Sequence, residues 1–377
     1  MFLKANRIHD GKQFLPMNTA LEVDDEGRIL NILAEYFGEA TEFEGILCPA
    51  FINTHCHLEL SHLKGFIPKH TGLISFLQQV TKGRNAYSET EKATARNQAY
   101  QELHDNGVIA VGDIANTTDT LDLMPLKKLY LHSFVEAIGF NPSLVEKSFS
   151  YAKTTYDSFL NVADVDATSI TLHAPYSVSD KLFERVSFWD KSSILSIHNQ
   201  ECEDENWFYI NKSGAVNSLL HHLNIDTSHF TPSGTTSLQT YSQWISTQHQ
   251  LLLVHNSFTS REDIQQVKHL FTNLFFCLCP NANLYIENTL PDVPLLMEEE
   301  MKICIGTDSL ASNDQLCIYS ELKTLQQHFD IDWELLLQWA TYNGAQALRI
   351  EDRFGSLGIG MKPGIVHIYQ DAATRIV

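Results

Sequence analysis

Five short stretches of the 377-residue sequence carry side chains that can hold a metal ion or move a proton, and each ends or follows an apolar run. Imidazoles and carboxylates are the usual ligands of catalytic zinc, and they also serve as general acids and bases. Together they indicate metal-assisted hydrolysis, in which a bound ion activates water. The stretches are 53–57 (NTHCH), 173–176 (HAPY), 198–201 (HNQE), 255–258 (HNSF) and 306–309 (GTDS).

His55 and His57 form an H-x-H pair at the end of the first run. In an extended segment, residues two apart point to the same side, so both imidazoles would face one ligand. We predict that they bind a metal together with His198 as the third nitrogen ligand and Asp308 as the oxygen ligand. Such a set leaves a position for water, as a catalytic site requires. One zinc ion (Zn²⁺) per chain suits these ligands, and Fe²⁺ would also fit.

Three further side chains are candidates for the chemistry itself. Glu201 lies three residues after His198 and is predicted to shuttle a proton, although it could be a solvated acid in the run 201–205. His255 is predicted to hold the attacking water or the leaving group, or to be an additional ligand. His173 either contacts the substrate or caps its strand.

The substrate contacts are predicted from general requirements, because a planar ligand needs a stacking surface and a few polar partners. The aromatic candidates are Phe66, Phe76, Tyr176 and Trp207, and each could instead be a packing residue of the core or of a loop. Glu59 is predicted either to contact substrate or to support the histidines. The full set of predicted contacts is His173, Glu59, Tyr176, Trp207, Asn283 and Ser309.

Eight apolar, β-favouring runs alternate with longer amphipathic stretches in the middle of the chain. Continuous apolar runs favour parallel strands that are covered on both faces. Eight such repeats predict an α/β fold with a (β/α)8 TIM-like barrel; the competitor is a doubly wound open sheet, which the lack of a G-x-G-x-x-G motif disfavours. In a barrel the carboxyl ends of the strands meet on one face, so the candidate residues would converge. The predicted strands are 46–53, 108–113, 129–136, 169–173, 194–198, 251–255, 274–279 and 302–308.

Both ends of the chain have a different pattern, with short β-favouring runs separated by glycine-containing turns. Runs at Phe2–Ile8, Ala20–Val23 and 29–34 precede the barrel, and the run 364–370 follows it. The two ends are therefore expected to pair into one small sheet domain.

The composition limits the partners and the compartment. A net charge of −20 argues against nucleic acid and anionic lipid as partners. No apolar stretch is long enough for a membrane span, and residues 1–10 lack the apolar core of a secretory signal. The seven cysteines form no C-x-x-C pair and are expected to be buried free thiols. We expect a cytoplasmic protein that binds a small-molecule substrate, and a homodimer on general grounds.

Motifs along nearly the whole chain resemble the amidohydrolase superfamily. The similarity is greatest to its branch of aromatic-base deaminases and chlorohydrolases, which includes S-adenosylhomocysteine deaminase, guanine deaminase and atrazine chlorohydrolase. This resemblance implies a mononuclear metal in a distorted barrel over residues 48–351, and a β-sandwich built from residues 1–47 and 352–377. The matching segments are 49–61 (PAFINTHCHLELS), 173–179 (HAPYSVS), 198–201, 254–258 (VHNSF), 279–284 (CPNANL), 305–314 (IGTDSLASND), 343–348 (NGAQAL) and 355–364 (GSLGIGMKPG).

One segment resembles a subfamily of this branch, and two others depart from patterns that are common in the superfamily. The segment HLELSHLKG, followed by Gly72, Leu73, Phe76 and Arg84, resembles aminodeoxyfutalosine deaminases. In the tail motif, a methionine and a glycine replace the family's lysine and aspartate, at positions that are structural. The fourth strand has no lysine that could become a carbamate between two metals, so a dinuclear site of the dihydroorotase type is not expected.

The resemblance implies hydrolytic deamination of an aminated purine-like ring, such as an adenosine-type nucleoside or aminodeoxyfutalosine. In this hypothesis Asp308 accepts the proton of the attacking water, Glu201 protonates the adjacent ring nitrogen and His255 polarises the reacting centre. Displacement of chloride or opening of a cyclic amide at the same site is the alternative. A more remote alternative is a non-catalytic barrel that serves as a scaffold.

Overall fold

The computed structural model describes residues 1–162, 165–190 and 193–377. Its strands fall into two groups, one in the middle of the chain and one that joins the two chain ends. The strands in these residues are β1 (Phe2–Ile8), β2 (Ala20–Val23), β3 (Ile29–Leu33), β4 (Thr41–Pro49), β5 (Phe51–Cys56), β6 (Val108–Ala115), β7 (Tyr130–Ala137), β8 (Ala167–Leu172), β9 (Ile194–Asn199), β10 (Gln250–His255), β11 (Leu274–Leu278), β12 (Lys302–Ile305), β13 (Ile365–Tyr369) and β14 (Ala372–Arg375).

The middle strands form the predicted barrel, from two four-stranded parallel halves, β5–β8 and β9–β12. The backbone amides of Thr307 and Asp308 donate to the carbonyl of His55 at 3.1 Å, which joins the end of β12 to β5. Between β8 and β9, the Thr171 hydroxyl donates to the Ser196 carbonyl at 2.6 Å and accepts from the Ser196 amide at 2.8 Å. Because both seams are bonded, the sheet is closed and the open doubly wound alternative is wrong.

The first barrel strand differs from its prediction. The run 46–53 was expected to be one strand, but the structure divides it at Ala50 between β4 and β5. The backbone amide of Phe51 donates to the carbonyl of Gly107 at 2.8 Å, which starts the pairing of β5 with β6. His55 therefore lies inside β5, and His57 follows the strand directly.

Helices cover the outside of the barrel and its carboxyl face. The strands β5 to β12 are almost entirely buried between these helices, which explains their continuous apolar sequence. The described α-helices are α1 (Leu73–Gly83), α2 (Glu89–Asp105), α3 (Val145–Leu160), α4 (Asp180–Trp189), α5 (Glu203–Asn211), α6 (Gly214–His222), α7 (Ser237–Tyr241), α8 (Arg261–Leu270), α9 (Pro280–Ile286), α10 (Val293–Glu298), α11 (Ile318–His328), α12 (Trp333–Gln338) and α13 (Gly344–Ala347). Short 3-10 helices lie at Leu58–Leu63, Asp119–Leu126, Pro142–Leu144, Pro175–Ser177 and Ser242–Trp244, and a π-helical turn lies at Trp339–Asn343.

The two chain ends pair as predicted, in the order β14-β13-β4-β1-β2-β3. The hydrogen-bonded ladder joins all six strands into one sheet, whereas a sandwich of two sheets was expected from the resemblance. The sheet has its own apolar cluster, which includes Leu3, Leu21, Ile29 and Leu47. Its strand β4 continues to Pro49, past the boundary expected at residue 47.

The structure bears on two features that were expected from the composition, the membrane-spanning segments and the state of the cysteines. Within the described residues, no helix is sufficiently long and apolar to cross a membrane. All seven cysteines are free thiols, and six of them are buried; Cys317 is half-buried.

Candidate active site

The four side chains predicted to bind metal converge at the carboxyl end of the barrel. The Nε2 atom of His57 lies 3.2 Å from Nε2 of both His55 and His198. Oδ1 of Asp308 lies 3.3 Å from Nε2 of His57 and 3.6 Å from Nε2 of His55. All four side chains are buried. They come from β5 and the residue after it, from β9 and from the turn after β12, so the barrel brings together residues that are far apart in sequence.

This cluster fits a metal ion on the chemistry of its donors. Burial lowers the pKa of His57 and His198 well below the usual range, so these imidazoles are neutral and offer lone pairs. Nδ1 of His55 and of His57 is buried without a hydrogen-bond partner, and the Nε2 atoms point at one another. Three imidazole nitrogens and a carboxylate oxygen around one point are a ligand set for zinc or ferrous iron.

Asp308 is held as a carboxylate beside the histidines. Burial alone would raise its pKa, but the neighbouring side chains of His55, His57 and His255 outweigh burial and keep the pKa below its usual range. Asp308 adopts a left-handed backbone conformation with φ of 56°, and the Ser312 hydroxyl donates to its Oδ2. This turn leaves Oδ1 facing the histidines.

Glu201 lies beside the cluster at the start of the turn between β9 and α5. Its Oε1 is 3.7 Å from Nε2 of His255. Burial, with a contribution from the negative charge of Asp308, raises the pKa of Glu201 well above its usual range. Burial therefore favours the protonated form of this carboxyl group. Behind it, the backbone amide of Gln200 donates to Oε1 of Glu205 at 3.0 Å, which fixes the turn.

His255 ends β10 in a left-handed conformation, with φ of 74°. Such a conformation is uncommon for a residue other than glycine, and it persists only where the surroundings hold it. Nδ2 of Asn283 lies 3.4 Å from Nδ1 of His255 and donates to the Ser257 hydroxyl at 2.8 Å. Burial lowers the pKa of His255 to about 4, so the imidazole is neutral. Its Nε2 faces Glu201 and the metal ligands.

A cavity of about 540 Å³ opens over this cluster. His57, His198, Glu201, His255 and Asp308 form its floor. The helices α1 and α6 contribute most of its apolar wall, which includes Leu73, Phe76, Leu77, Val80, Leu219, Leu220 and Leu223. A volume in this range fits a small molecule, and mostly apolar walls with a few polar groups are typical of such sites.

The predicted substrate contacts divide into two groups. His173, Tyr176 and Ser309 line the cavity. Nδ1 of His173 lies 2.7 Å from the Ser177 hydroxyl, and burial lowers its pKa to about 4, so it faces the cavity as a neutral ring. Asn283 instead lies behind His255.

Trp207 does not fit the role predicted for it. Its side chain is 43% exposed on the outer side of α5 and is absent from the cavity wall. The inner side of the helix is formed by Phe208 and Tyr209, which are fully buried. This position also differs from the alternative interpretation, a packing residue of the core or of a loop, because Trp207 lies in a helix and is partly exposed.

Glu59 supports a residue on the wall and is itself outside the cavity. Its Oε1 accepts from Nη2 of Arg84 at 2.7 Å, and its Oε2 accepts from the backbone amides of Asn116 and Thr117 at 3.0 and 3.2 Å. Arg84, on the C-terminal side of α1, lines the cavity. The sequence named Arg84 only as part of a resemblance, and the ion pair explains why it is held at this place.

Glu136 is a cavity residue that the sequence interpretation missed. It lies near the end of β7, is 3% exposed, and its Oε2 accepts from Nδ2 of Asn116 at 2.8 Å. Its Oε1 lies 3.4 Å from Nδ1 of His198. Burial raises the pKa of Glu136 to about 8. The signal was present, because the predicted strand 129–136 ends in this carboxylate.

The fold and this site define a metal-dependent hydrolase of the barrel type, and comparison with known proteins gives the family. The amidohydrolase family matches residues 46–374, so the chain belongs to that family. It is accordingly a hydrolase that acts on carbon–nitrogen bonds other than peptide bonds. The family predicted by resemblance is confirmed.

Its relatives include nucleoside deaminases. Adenosine deaminase of Helicobacter pylori is 28% identical over 318 residues, which cover 81% of this chain and 75% of that protein. The crystal structure of aminofutalosine deaminase of H. pylori in complex with methylthio-coformycin matches with a TM-score of 0.82 and 23% identity, over 98% of this chain and 93% of that one. An adenosine deaminase of Xanthomonas campestris with bound zinc has a TM-score of 0.75 and 21% identity, over 97% and 83% of the two chains. At these identities the two structures show a shared fold.

Proposed function

We propose that this protein is a metal-dependent deaminase that hydrolyses the exocyclic amino group of adenosine-type nucleosides. The observation that carries the proposal is the position of a buried carboxyl group, Glu201, whose pKa is raised by burial, beside a four-ligand cluster that fits one metal ion. The deaminases among its relatives support the same reaction. We propose zinc as the metal, with Fe²⁺ as the alternative that the ligands also suit.

The chain's residues would hold the ion and then manage the protons. His55, His57, His198 and Asp308 would hold the metal, which when bound lowers the pKa of a coordinated water towards about 7. Asp308 is a carboxylate with Oδ2 fixed by a hydroxyl and Oδ1 facing the site. It is therefore placed to accept the proton of the attacking water.

Glu201 and His255 would act on the substrate. A protonated Glu201 can donate to the ring nitrogen next to the reacting carbon, so negative charge does not accumulate on the ring. His255 has its Nδ1 directed to Asn283, which leaves Nε2 directed to the reacting centre. It can steady the water and polarise the tetrahedral centre. The proton taken up by Asp308 then passes to the amino group, which leaves as ammonia, and the proton of the added hydroxyl returns to Glu201 as the carbonyl forms.

The cavity favours a nucleoside over a free base. Its volume of about 540 Å³ extends from the cluster to the apolar surfaces of α1 and α6, whereas a purine alone would leave this wall uncovered. A 5′-substituted nucleoside with an apolar group, or aminodeoxyfutalosine, is therefore an appropriate member of the class. The scaffold alternative is not favoured, because all four ligands and Glu201 are brought together.

A substrate panel tests the proposal. We expect metal-loaded protein to release ammonia from adenosine, 5′-methylthioadenosine or aminodeoxyfutalosine, since each presents the same amino group to Glu201. The measurement is coupled detection of ammonia, with metal-stripped protein as the blank. Parallel assays with 6-chloropurine riboside measure chloride. Release of chloride without ammonia from any amino compound would instead support the chlorohydrolase alternative, and release of neither would contradict the proposal.

A further inference from the structure

Glu136, a residue that lines the cavity, has one buried carboxyl oxygen without a hydrogen-bond partner. Oε2 of Glu136 accepts from Nδ2 of Asn116 at 2.8 Å, which fixes the plane of the group, but Oε1 is buried without a partner. The residue lines the cavity and is 3% exposed. A buried acceptor left unpaired is costly, so such an oxygen points to a ligand that completes it.

The nearest protein groups do not complete it. Nδ1 of His198 lies 3.4 Å from Oε1 of Glu136 and equally 3.4 Å from the carbonyl oxygen of His173, which is long for either hydrogen bond. A second cation between these three residues is also disfavoured. Nε2 of His198 already belongs to the ligand cluster, and Nδ1 of His173 is bonded to the Ser177 hydroxyl.

The position of Glu136 relative to His198 limits what the ligand can be. His198 presents Nε2 to the other metal ligands and Nδ1 to Glu136. The metal ligands and the carboxyl group of Glu136 therefore lie beside different nitrogens of one imidazole ring. The reacting carbon and its amino group must lie at the Nε2 side, near Glu201. In an adenosine-type substrate the purine ring nitrogens are acceptors, so the remaining donors are the sugar hydroxyls.

We propose that Oε1 of Glu136 accepts a hydrogen bond from a 2′- or 3′-hydroxyl of the nucleoside and that this contact selects ribonucleosides. The inference rests on the proposed function and adds to it a specificity-determining residue. Asn116 is a positioning residue for this contact, because it holds the other oxygen of the carboxyl group.

The test compares three substrates across three proteins. Adenosine, 2′-deoxyadenosine and 3′-deoxyadenosine are assayed with the wild type, Glu136→Ala and Glu136→Gln. In the wild type, loss of the contacting hydroxyl should lower kcat/KM by about 10- to 100-fold, because it leaves a buried acceptor without a partner. In Glu136→Ala the same loss should change kcat/KM by less than about 3-fold, because the partner is gone.

Glu136→Gln keeps an acceptor oxygen and nearly the same volume, so it should retain an intermediate dependence on the hydroxyl even if the alanine variant does not fold. Glu205→Gln is the matched control, since Glu205 is another buried carboxyl group but lies outside the cavity. Its dependence on the hydroxyl should equal that of the wild type.

Two results would overturn the inference. One is a wild type that is indifferent to both hydroxyls. The other is a Glu136 variant whose kcat/KM falls equally for all three substrates, because Glu136 would then act only through His198. If the wild type deaminates no nucleoside at all, including those of the substrate panel above, the proposed function itself fails, which is a distinguishable outcome.

Discussion

Replacing Glu201 with glutamine lowers kcat by at least about 100-fold while the metal stays bound, because general acid–base groups usually contribute about 100- to 10,000-fold. Glutamine has nearly the same volume and can form hydrogen bonds, but it cannot transfer a proton. Glu201 lies 3.7 Å from His255 and belongs to none of the three-residue groups whose ligand atoms converge, so its loss should affect proton transfer more than metal binding. Steady-state ammonia release and metal analysis of the purified variant measure the two effects.

The matched control is Glu203→Gln in the same acidic run. Glu203 is exposed at the start of α5, so its replacement should leave kcat within about 2-fold, as is usual for surface changes away from special features. Near wild-type turnover by metal-loaded Glu201→Gln would refute the assignment of Glu201 as the proton donor.

Replacing His57 with alanine removes both the metal and the activity. His57 is central to the cluster, since its Nε2 lies within 3.3 Å of atoms from the other three ligands. Loss of an outer partner of a ligand commonly costs about 10- to 100-fold in affinity or activity, so loss of a ligand should cost more than about 100-fold. Metal content per chain, measured by emission spectroscopy, should fall towards zero together with ammonia release.

His62→Ala is the control for this variant. His62 lies five residues further along, is half-buried and is outside the cavity wall. It should retain the wild-type metal content and turnover. Stoichiometric metal in His57→Ala, or loss of metal in His62→Ala as well, would argue that the cluster is not the metal site.

The barrel and most of its site could be predicted because each barrel strand is buried on both faces. Burial makes the sequence of each strand continuously apolar, so a polar residue at its carboxyl end is conspicuous. His198, His255 and Asp308 were found in this way, and the barrel topology alone required them to meet. The first strand was predicted to end at residue 53, so His55 was placed just after it. In the structure the run divides at Ala50 and β5 continues to Cys56. That division could not be predicted, because it depends on how β4 pairs in the other sheet.

The residues around the cavity could not be predicted equally well, since their positions depend on helix packing. The ion pair of Glu59 with Arg84 joins the 3-10 helix after β5 to the residue that follows α1, and no spacing rule connects them. Trp207 precedes two buried aromatic residues, so an apolar run gives no indication of which side chain faces inwards. Glu136 ended a predicted strand, but only the structure showed that one of its oxygens has no partner.

Titration of metal into stripped protein measures whether deamination depends on the metal. We propose that one metal ion, bound by His55, His57, His198 and Asp308, is required for deamination. Ammonia release from adenosine, or from the best substrate of the panel, should be absent from the stripped protein. It should rise linearly with added zinc and stop rising at one equivalent per chain. Full activity without metal, or a plateau reached only at two equivalents, would contradict this account.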